Sequence, residues 1–270
     1  MPDPMKTTQT ELFSNNPRTR LNAARSLSPA EQKQVQEKIG KASPDKPWPF
    51  GMPTSVNPYL VILGVSPGGK KVRDKCKPYP LPTVGQVHDG FGGEYTSPPN
   101  DWDNRYWKKV RLLCANLLHS VDDTLTCCDS LALSGHMNLG TRQEGNAKNG
   151  VNARIADRVP DIIVDHLKPR VLILFGFKGL LKQDEIVQNA FRRNGTLAKV
   201  VSNKPEEVPF KFPCKGQYSF QIWEAERSDG GKMTIVLWPN HPSRVPFSNS
   251  EAWKASITQA SSLLGKRHGD

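Results

Sequence analysis

The chain has 270 residues, of which 36% are hydrophobic and 23% are charged, and its formal net charge is +11 at pH 7. This composition is typical of a globular protein of one large domain or two small ones, and the basic excess favours a polyanion such as nucleic acid as partner. Since no apolar run approaches a membrane span and the start lacks a signal-peptide core, we expect a cytoplasmic protein, nucleoid-associated if bacterial, with no membrane partner.

The chain begins with a polar, proline-rich extension over residues 1–57. Within it, Ser28-Pro29-Ala30-Glu31 combines an N-cap, a first-turn proline and a capping-box acid, which predicts a helix to about Ile39. That helix has few apolar residues, so we expect a peripheral arm. Residues 58–270 should form the main domain.

Apolar runs and turn signals predict the elements of that domain. Buried strands are expected at 59–64, 131–137, 171–175 and 233–238. Helices are expected at 102–119, 153–167, 179–192 and 250–264, the last closed by Gly265 at C′. On the first helix one face is apolar and Lys108, Lys109 and Arg111 point elsewhere; the apolar residues are Trp107, Val110, Leu113, Cys114, Leu117 and Leu118. A further strand at 218–226 should form a hairpin with 233–238. Strands that alternate with helices predict an α/β fold with a parallel sheet.

Three short motifs fall at predicted element ends. Gly64-Val65-Ser66-Pro67-Gly68 follows the first strand, Asn104-Arg105-Tyr106-Trp107-Lys108 opens a helix, and His241-Pro242-Ser243 follows the last strand. Each is weak alone, because a Pro-Gly turn is often only a turn and a lone histidine is often structural. Ligands of open α/β sheets bind where strands end, so together the motifs predict one pocket.

In this order and spacing, over roughly residues 59–264, the motifs resemble the uracil-DNA glycosylase superfamily. The helix motif is most similar to the mismatch-specific and thymine-DNA glycosylase branch, and the His-Pro-Ser ending to the classical uracil glycosylase branch. The resemblance implies a three-layer α/β/α sandwich around a central four-stranded parallel sheet. It also implies base excision by a monofunctional, monomeric DNA N-glycosylase that flips a pyrimidine out of double-stranded DNA, with single strands left open as substrates.

The predicted catalytic residues are His241 and Ser66. Cleavage at N1 of a pyrimidine leaves negative charge on the base, much of it at O2, and a donor such as His241 held there stabilises the transition state. Ser66 stands where the family usually has Asn or Asp to position the attacking water. Serine is a poor base unaided. Candidate helpers lie in the long loop that follows: His88, Asp89, Glu94, Asp101 and Asp103.

The predicted base-binding residues surround the same turn. The resemblance assigns the Watson–Crick edge of the base to Asn138, whose amide offers a donor and an acceptor. Phe91 or Tyr95 could stack on the base. The turn itself contributes Gly64, Pro67 and Gly68.

The loop from Lys70 to Asp101 is longer than its family counterpart. Together with Ser66, this length motivates the hypothesis that the substrate base is larger than uracil, such as a hydroxymethylated or glycosylated cytosine. No metal or organic cofactor is implied. The five cysteines lack the iron–sulfur spacing of some relatives and are interpreted as reduced thiols: Cys76, Cys114, Cys127, Cys128 and Cys214.

Two other functions stay open. Ser66 also fits a catalytically inactive protein that binds DNA or a modified base on the same fold. A small-molecule α/β hydrolase is the weaker alternative, because the sequence offers no obvious acid–base pair for it. An alkali-labile abasic product would separate the glycosylase from the binding protein.

Ser243, Arg244, Lys70 and Lys71 are the predicted contacts to the DNA backbone. Neutralising Lys70 and Lys71 together should weaken DNA binding and flatten its dependence on salt, because fewer counterions are released. Equilibrium binding measured across a salt series tests this prediction. An unchanged slope would contradict it.

Overall fold

The structure is a computed structural model that describes residues 10–31, 34, 57–64, 105–138, 162–175, 197–200, 206–211, 217–227, 229–242, 244 and 246–268. The strands are β1 (Leu60–Gly64), β2 (Ser134–Asn138), β3 (Val171–Leu174), β4 (Leu197–Val200), β5 (Glu206–Lys211), β6 (Gln217–Arg227) and β7 (Lys232–Leu237). The helices are α1 (Pro17–Ser26), α2 (Arg105–Val121), α3 (Cys127–Ala132) and α4 (Ser250–His268), with a π-helical turn at Ile162–Leu167.

The four strands expected from the apolar runs lie side by side and parallel, in the order β2-β1-β3-β7. Every residue of β1 and β3 is buried. Leu60 and Ile62 pack into the main core with the helices, and the alternate residues Val61 and Leu63 are buried as well. Strands buried on both faces explain why these segments are continuous apolar runs rather than alternating ones.

The expectation of a purely parallel, four-stranded sheet is wrong. Within the described residues the sheet has seven strands and is mixed, because β6 pairs antiparallel with β7 and carries β4 and β5 along its other side. The predicted hairpin is confirmed: Glu226 pairs with Lys232 across a turn that contains Asp229 and Gly230. The long β6 extends the sheet past the parallel strands, which the count of buried apolar runs could not reveal.

Helices α2 and α4 pack on each other against the sheet. The predicted buried face of α2 is confirmed for Val110, Leu113, Cys114, Leu117 and Leu118, each at most 1% exposed. Helix α4 begins after Asn249, whose side chain accepts from the backbone N–H of Glu251 at 2.7 Å, as an N-cap does.

Gly265 does not end helix α4, contrary to the expectation of a C′ glycine. The helix continues to His268. A Cβ at Gly265 would lie 2.7 Å from the backbone oxygen of Ser120, so glycine is needed here because α2 and α4 approach closely.

The second predicted strand begins later than expected. Leu131 and Ala132 end helix α3, and the strand β2 begins at Ser134. Thr126 and Asp129 form a capping box at the start of α3, with the Asp129 backbone N–H donating to Thr126 Oγ1 at 3.1 Å. That Thr-x-x-Asp spacing was a usable helix signal. Of the helices expected at 153–167 and 179–192, the structure describes only the π-helical turn; 179–192 lies outside the described residues.

Besides the helix start predicted at Ser28, the N-terminal segment contains an earlier helix that packs on the main domain. The capping box at Ser28 is confirmed, since its backbone N–H donates to Glu31 Oε2 at 2.8 Å. The unexpected helix is α1, capped by Asn16 with Pro17 in its first turn. Its Leu21 belongs to the main core.

Arg20 of α1 joins this segment to the sheet. The side chain is fully buried and donates to the backbone oxygens of Pro58 and Lys168 at 2.9 Å each, and to those of Phe13 and Ser14. Its guanidinium also lies 5.4 Å from the ring centroid of Tyr59. Pro58 precedes β1 and Lys168 precedes β3, so one side chain ties the N-terminal segment to the starts of two central strands.

Replacing Arg20 with Met should lower the free energy of unfolding by about 3 kcal/mol or more, because it leaves several buried carbonyls without donors. The matched control is Arg25→Gln in the same helix. Arg25 is partly exposed and forms an ion pair with Asp129, so its loss should cost about 1 kcal/mol or less. Urea denaturation of both variants measures the difference, and equal losses would contradict the role given to Arg20.

Candidate functional site

The carboxyl ends of the four parallel strands lie along one edge of the sheet. Gly64, the last residue of β1, pairs directly with Asn138, the last residue of β2. On the other side, Phe175 donates to Leu63 O at 2.9 Å and Trp238 donates to Leu174 O at 3.0 Å. The backbones of Asn138, Gly64, Phe175 and Trp238 therefore follow one another across this edge, which we call the carboxyl edge.

The loop that leaves β7 places His241 just beyond this edge, three residues after Trp238. The backbone N–H of His241 donates to Asn240 Oδ1 at 2.9 Å. Its carbonyl accepts from the backbone N–H of Arg244 at 2.9 Å, which closes a turn with Pro242 in its second position. Proline favours that position because its fixed φ matches the turn.

His241 is neutral near pH 7. Burial, followed by the charges of Arg244 and Lys109, lowers its pKa from the usual 6.5 to about 4. A neutral imidazole has one ring nitrogen that donates and one that accepts. The side chain can thus donate a hydrogen bond to a developing negative charge without first losing or gaining a proton.

Buried aromatic side chains support this loop from below. Trp238 lies with its ring centroid 5.4 Å from that of Trp253 and 5.8 Å from that of Phe175. Phe247, at the far end of the loop, lies 5.6 Å from Trp253. All four are at most 1% exposed. Because these rings are tightly packed, they restrict the movement of Trp238 and Phe247, which lie near the two ends of the loop.

The helical pattern of the sequence does not point to Lys109 as a site residue, because the pattern places this lysine away from the buried face of α2. The side chain is half-buried, and its ammonium donates to Pro242 O at 2.9 Å and to Phe247 O. A usable signal existed: Lys109 lies four residues before the buried Leu113, and residues at that spacing share a helix face.

Exposed residues of this region include two basic ones and, at the start of α4, the acidic Glu251. Arg244 is exposed in the turn, and Lys108 is exposed on α2 beside Lys109. Arg244 lies three residues after His241, in the loop that Lys109 contacts. The positive charges of Arg244 and Lys109 are close enough to His241 to lower its pKa.

The described structure brings together only part of the predicted site. Gly64 and the backbone of Asn138 are paired, and His241 and Arg244 follow β7, two strands away from β1. The other predicted site residues lie outside the described residues: Ser66, Pro67, Gly68, Lys70, Lys71, Phe91, Tyr95 and Ser243. The helper candidates in the long loop lie outside them too, so the expectation that Ser66 faces His241 stays a prediction.

Comparison of the chain with family models, curated proteins and solved structures finds no match. Among the helices of the described ranges, none is both long and apolar enough to span a membrane. The cysteines of α2 and α3 are free thiols, with Cys114 buried and Cys127 and Cys128 exposed. Burial raises the pKa of Cys114 to about 12, so this thiol is neither a nucleophile nor a ready metal ligand.

The lowered pKa of His241 predicts a loss of stability in mild acid. In the unfolded chain His241 binds a proton as the pH falls below about 6.5, whereas in the folded protein it binds one only near pH 4. The folded state therefore keeps its full stability above about pH 6.5 and loses stability as the pH falls from 6.5 towards 4. The same holds for His268, whose pKa burial also lowers to about 4.

Replacing either histidine with Asn should flatten the dependence of the unfolding free energy on pH between 4.5 and 6.5 by up to about 1.4 kcal/mol per pH unit. Urea denaturation at several pH values measures these slopes. A His241→Asn variant with the wild-type slope would mean that His241 titrates normally in the folded protein.

Proposed function

We propose that this chain is a DNA N-glycosylase similar to the uracil-DNA glycosylases, which flips a pyrimidine out of DNA and hydrolyses its N-glycosidic bond. One observation carries the proposal. A neutral histidine, fixed in a His-Pro turn, follows β7 at the same sheet edge where β1 and β2 end side by side at Gly64 and Asn138. The proposed fold is a three-layer α/β/α sandwich, and the proposed domain boundary lies near residue 58.

The chemistry assigned to His241 follows from its protonation state. As the N-glycosidic bond breaks, the electron pair moves onto the base and negative charge grows at O2. A neutral imidazole N–H that points at O2 gains strength as this charge grows, so it stabilises the transition state more than the bound substrate. A pKa near 4 keeps the imidazole neutral across the physiological range.

Asn138 and Ser66 complete the proposed reaction. The direct pairing of Asn138 with Gly64 supports a role for the Asn138 amide in reading the base beside the Gly-x-x-Pro-Gly turn. Ser66, two residues beyond Gly64, would hold the attacking water while a carboxylate or histidine of the long loop polarises it, or the backbone of the turn would hold the water instead. Release of the base as an anion leaves an abasic sugar.

The charge distribution supports DNA as the partner. The net charge of +11 is accompanied by two exposed cations near the His241 loop, Arg244 within it and Lys108 next to Lys109 on α2. Cations there would hold the phosphates that flank the extruded nucleotide. We expect duplex DNA as the main substrate and a monomeric enzyme with no metal or organic cofactor.

Two features of the sequence bear on the substrate base. The length of the segment between Lys70 and Asp101 and the serine at position 66 favour a base larger than uracil, such as a modified cytosine. The competing function, a DNA- or modified-base-binding protein without catalysis, rests on the same Ser66 and differs in one respect: it forms no abasic product.

Oligonucleotide duplexes that carry uracil, a thymine mismatch or a modified cytosine, followed by alkali, test both readings. We expect strand breaks at one of the modified cytosines, and a 10²- to 10³-fold slower single-turnover rate for His241→Ala, the effect of losing one donor to a developing oxyanion. The matched control is His268→Asn, which removes another histidine of lowered pKa, one that lies near Arg170 and Thr234 at the opposite edge of the sheet.

Each outcome of this assay has one meaning. If only uracil is removed, the large-base hypothesis is wrong and the glycosylase proposal stands. If a modified duplex is bound tightly and never becomes alkali-labile, the binding protein is the correct reading. If His241→Ala and His268→Asn are equally slow, His241 has no special place in the chemistry.

A further inference from the structure

Lys109 connects helix α2 to two points of the loop that follows β7. Its ammonium donates to Pro242 O at 2.9 Å and to Phe247 O. These two acceptors are backbone oxygens on either side of residues 243–246. A single ammonium thus binds two carbonyls that lie five residues apart in the loop, and it belongs to helix α2 rather than to the loop.

The backbone of Lys109 is held from the opposite direction. Its carbonyl accepts from the indole N–H of Trp253 at 3.2 Å. Trp253 belongs to α4, is 1% exposed and contacts both Trp238 and Phe247. Lys109 is thus bonded through its side chain to the loop and through its backbone to the helix that follows the loop.

We propose that Lys109 is a positioning residue for His241: it fixes the loop that carries the histidine and holds a positive charge beside the imidazole. The catalytic consequence of this role rests on the proposed glycosylase function, whereas the structural role does not. None of the motifs that suggested a function assigns this role to Lys109.

A fixed cation at this place has an electrostatic use. The leaving base acquires negative charge, and a preorganised positive charge nearby lowers the energy of that state without any rearrangement during the reaction. Arg244 also lowers the pKa of His241, and by more than Lys109 does, but Arg244 is exposed and Lys109 is half-buried. Salt and water screen the exposed charge more strongly, so Lys109 is the steadier source of positive potential.

The test reads the imidazole of His241 directly. NMR titration of the six histidines, with His241 assigned by its absence in His241→Asn, gives the pKa of His241 in each variant. Lys109→Gln removes the charge and keeps a donor, and Lys254→Gln removes the charge of an exposed lysine on α4 as the matched control. We expect the His241 pKa to rise by roughly half a unit in Lys109→Gln and to stay unchanged in Lys254→Gln.

Kinetics give the second readout. In single-turnover excision, Lys109→Gln should be about 10- to 100-fold slower at saturating enzyme, with half-saturation changed less than about twofold, because a lost positioning group affects the chemical step more than binding. Lys109→Arg, which keeps the charge, should hold the His241 pKa near its wild-type value. If circular dichroism shows that Lys109→Gln does not fold, Lys109→Arg becomes the test. A folded Lys109→Arg variant that keeps the wild-type His241 chemical shift but no longer excises the base would contradict the proposal.

The two proposals fail in different ways. An unchanged His241 pKa and chemical shift in folded Lys109→Gln would overturn the role of Lys109, whatever the wild-type protein excises. A raised pKa in a protein that excises no base from any duplex would support the role of Lys109 and reject the glycosylase.

Discussion

The parallel pairing of four buried strands decides where every described candidate residue lies. Parallel strands end at the same edge of a sheet, so Gly64 and Asn138 become direct neighbours and the turn with His241 emerges two strands away. The pairing is secured by the burial of β1 and β3 on both faces. A shift of one residue in any of these pairs would turn buried side chains to the wrong face, which is why the register is strongly specified. The geometry of the candidate site is therefore a consequence of core packing.

Rigidity is the second requirement of such a site, and it comes from neighbouring elements. The loop after β7 rests on packed rings of Phe175, Trp238 and Trp253, while Lys109 of helix α2 bonds it at Pro242 and Phe247. The same surroundings remove water from His241 and place cations near it, and both effects keep the imidazole neutral. Position and protonation state thus have a common origin, because the packing that fixes the histidine also lowers its pKa.

The N-terminal segment shows where reasoning from composition stops. Its polar character predicts a peripheral arm, yet Arg20 lies fully buried and Leu21 enters the main core. Polar composition is misleading here because a buried arginine is tolerated when backbone carbonyls satisfy its donors. Asp129 is a second charged residue whose partners lie close around it: its side chain caps α3 and accepts a hydrogen bond from Arg25 of α1. Asn16-Pro17 and Thr126-x-x-Asp129 were local signals for two helices, whereas no local signal announced which carbonyls Arg20 would reach.

The sequence alone determined the four apolar strands, the hairpin turn, the buried face of α2 and the place of His241 directly after a strand, because these depend on periodicity and turn chemistry over a few residues. Tertiary structure decided the order of the strands, the antiparallel extension by β6, the need for glycine at position 265 and the contact of Lys109 with the histidine loop. Each of these joins segments far apart in the chain, and such pairings are selected by the packing of whole surfaces, which no short stretch of sequence encodes.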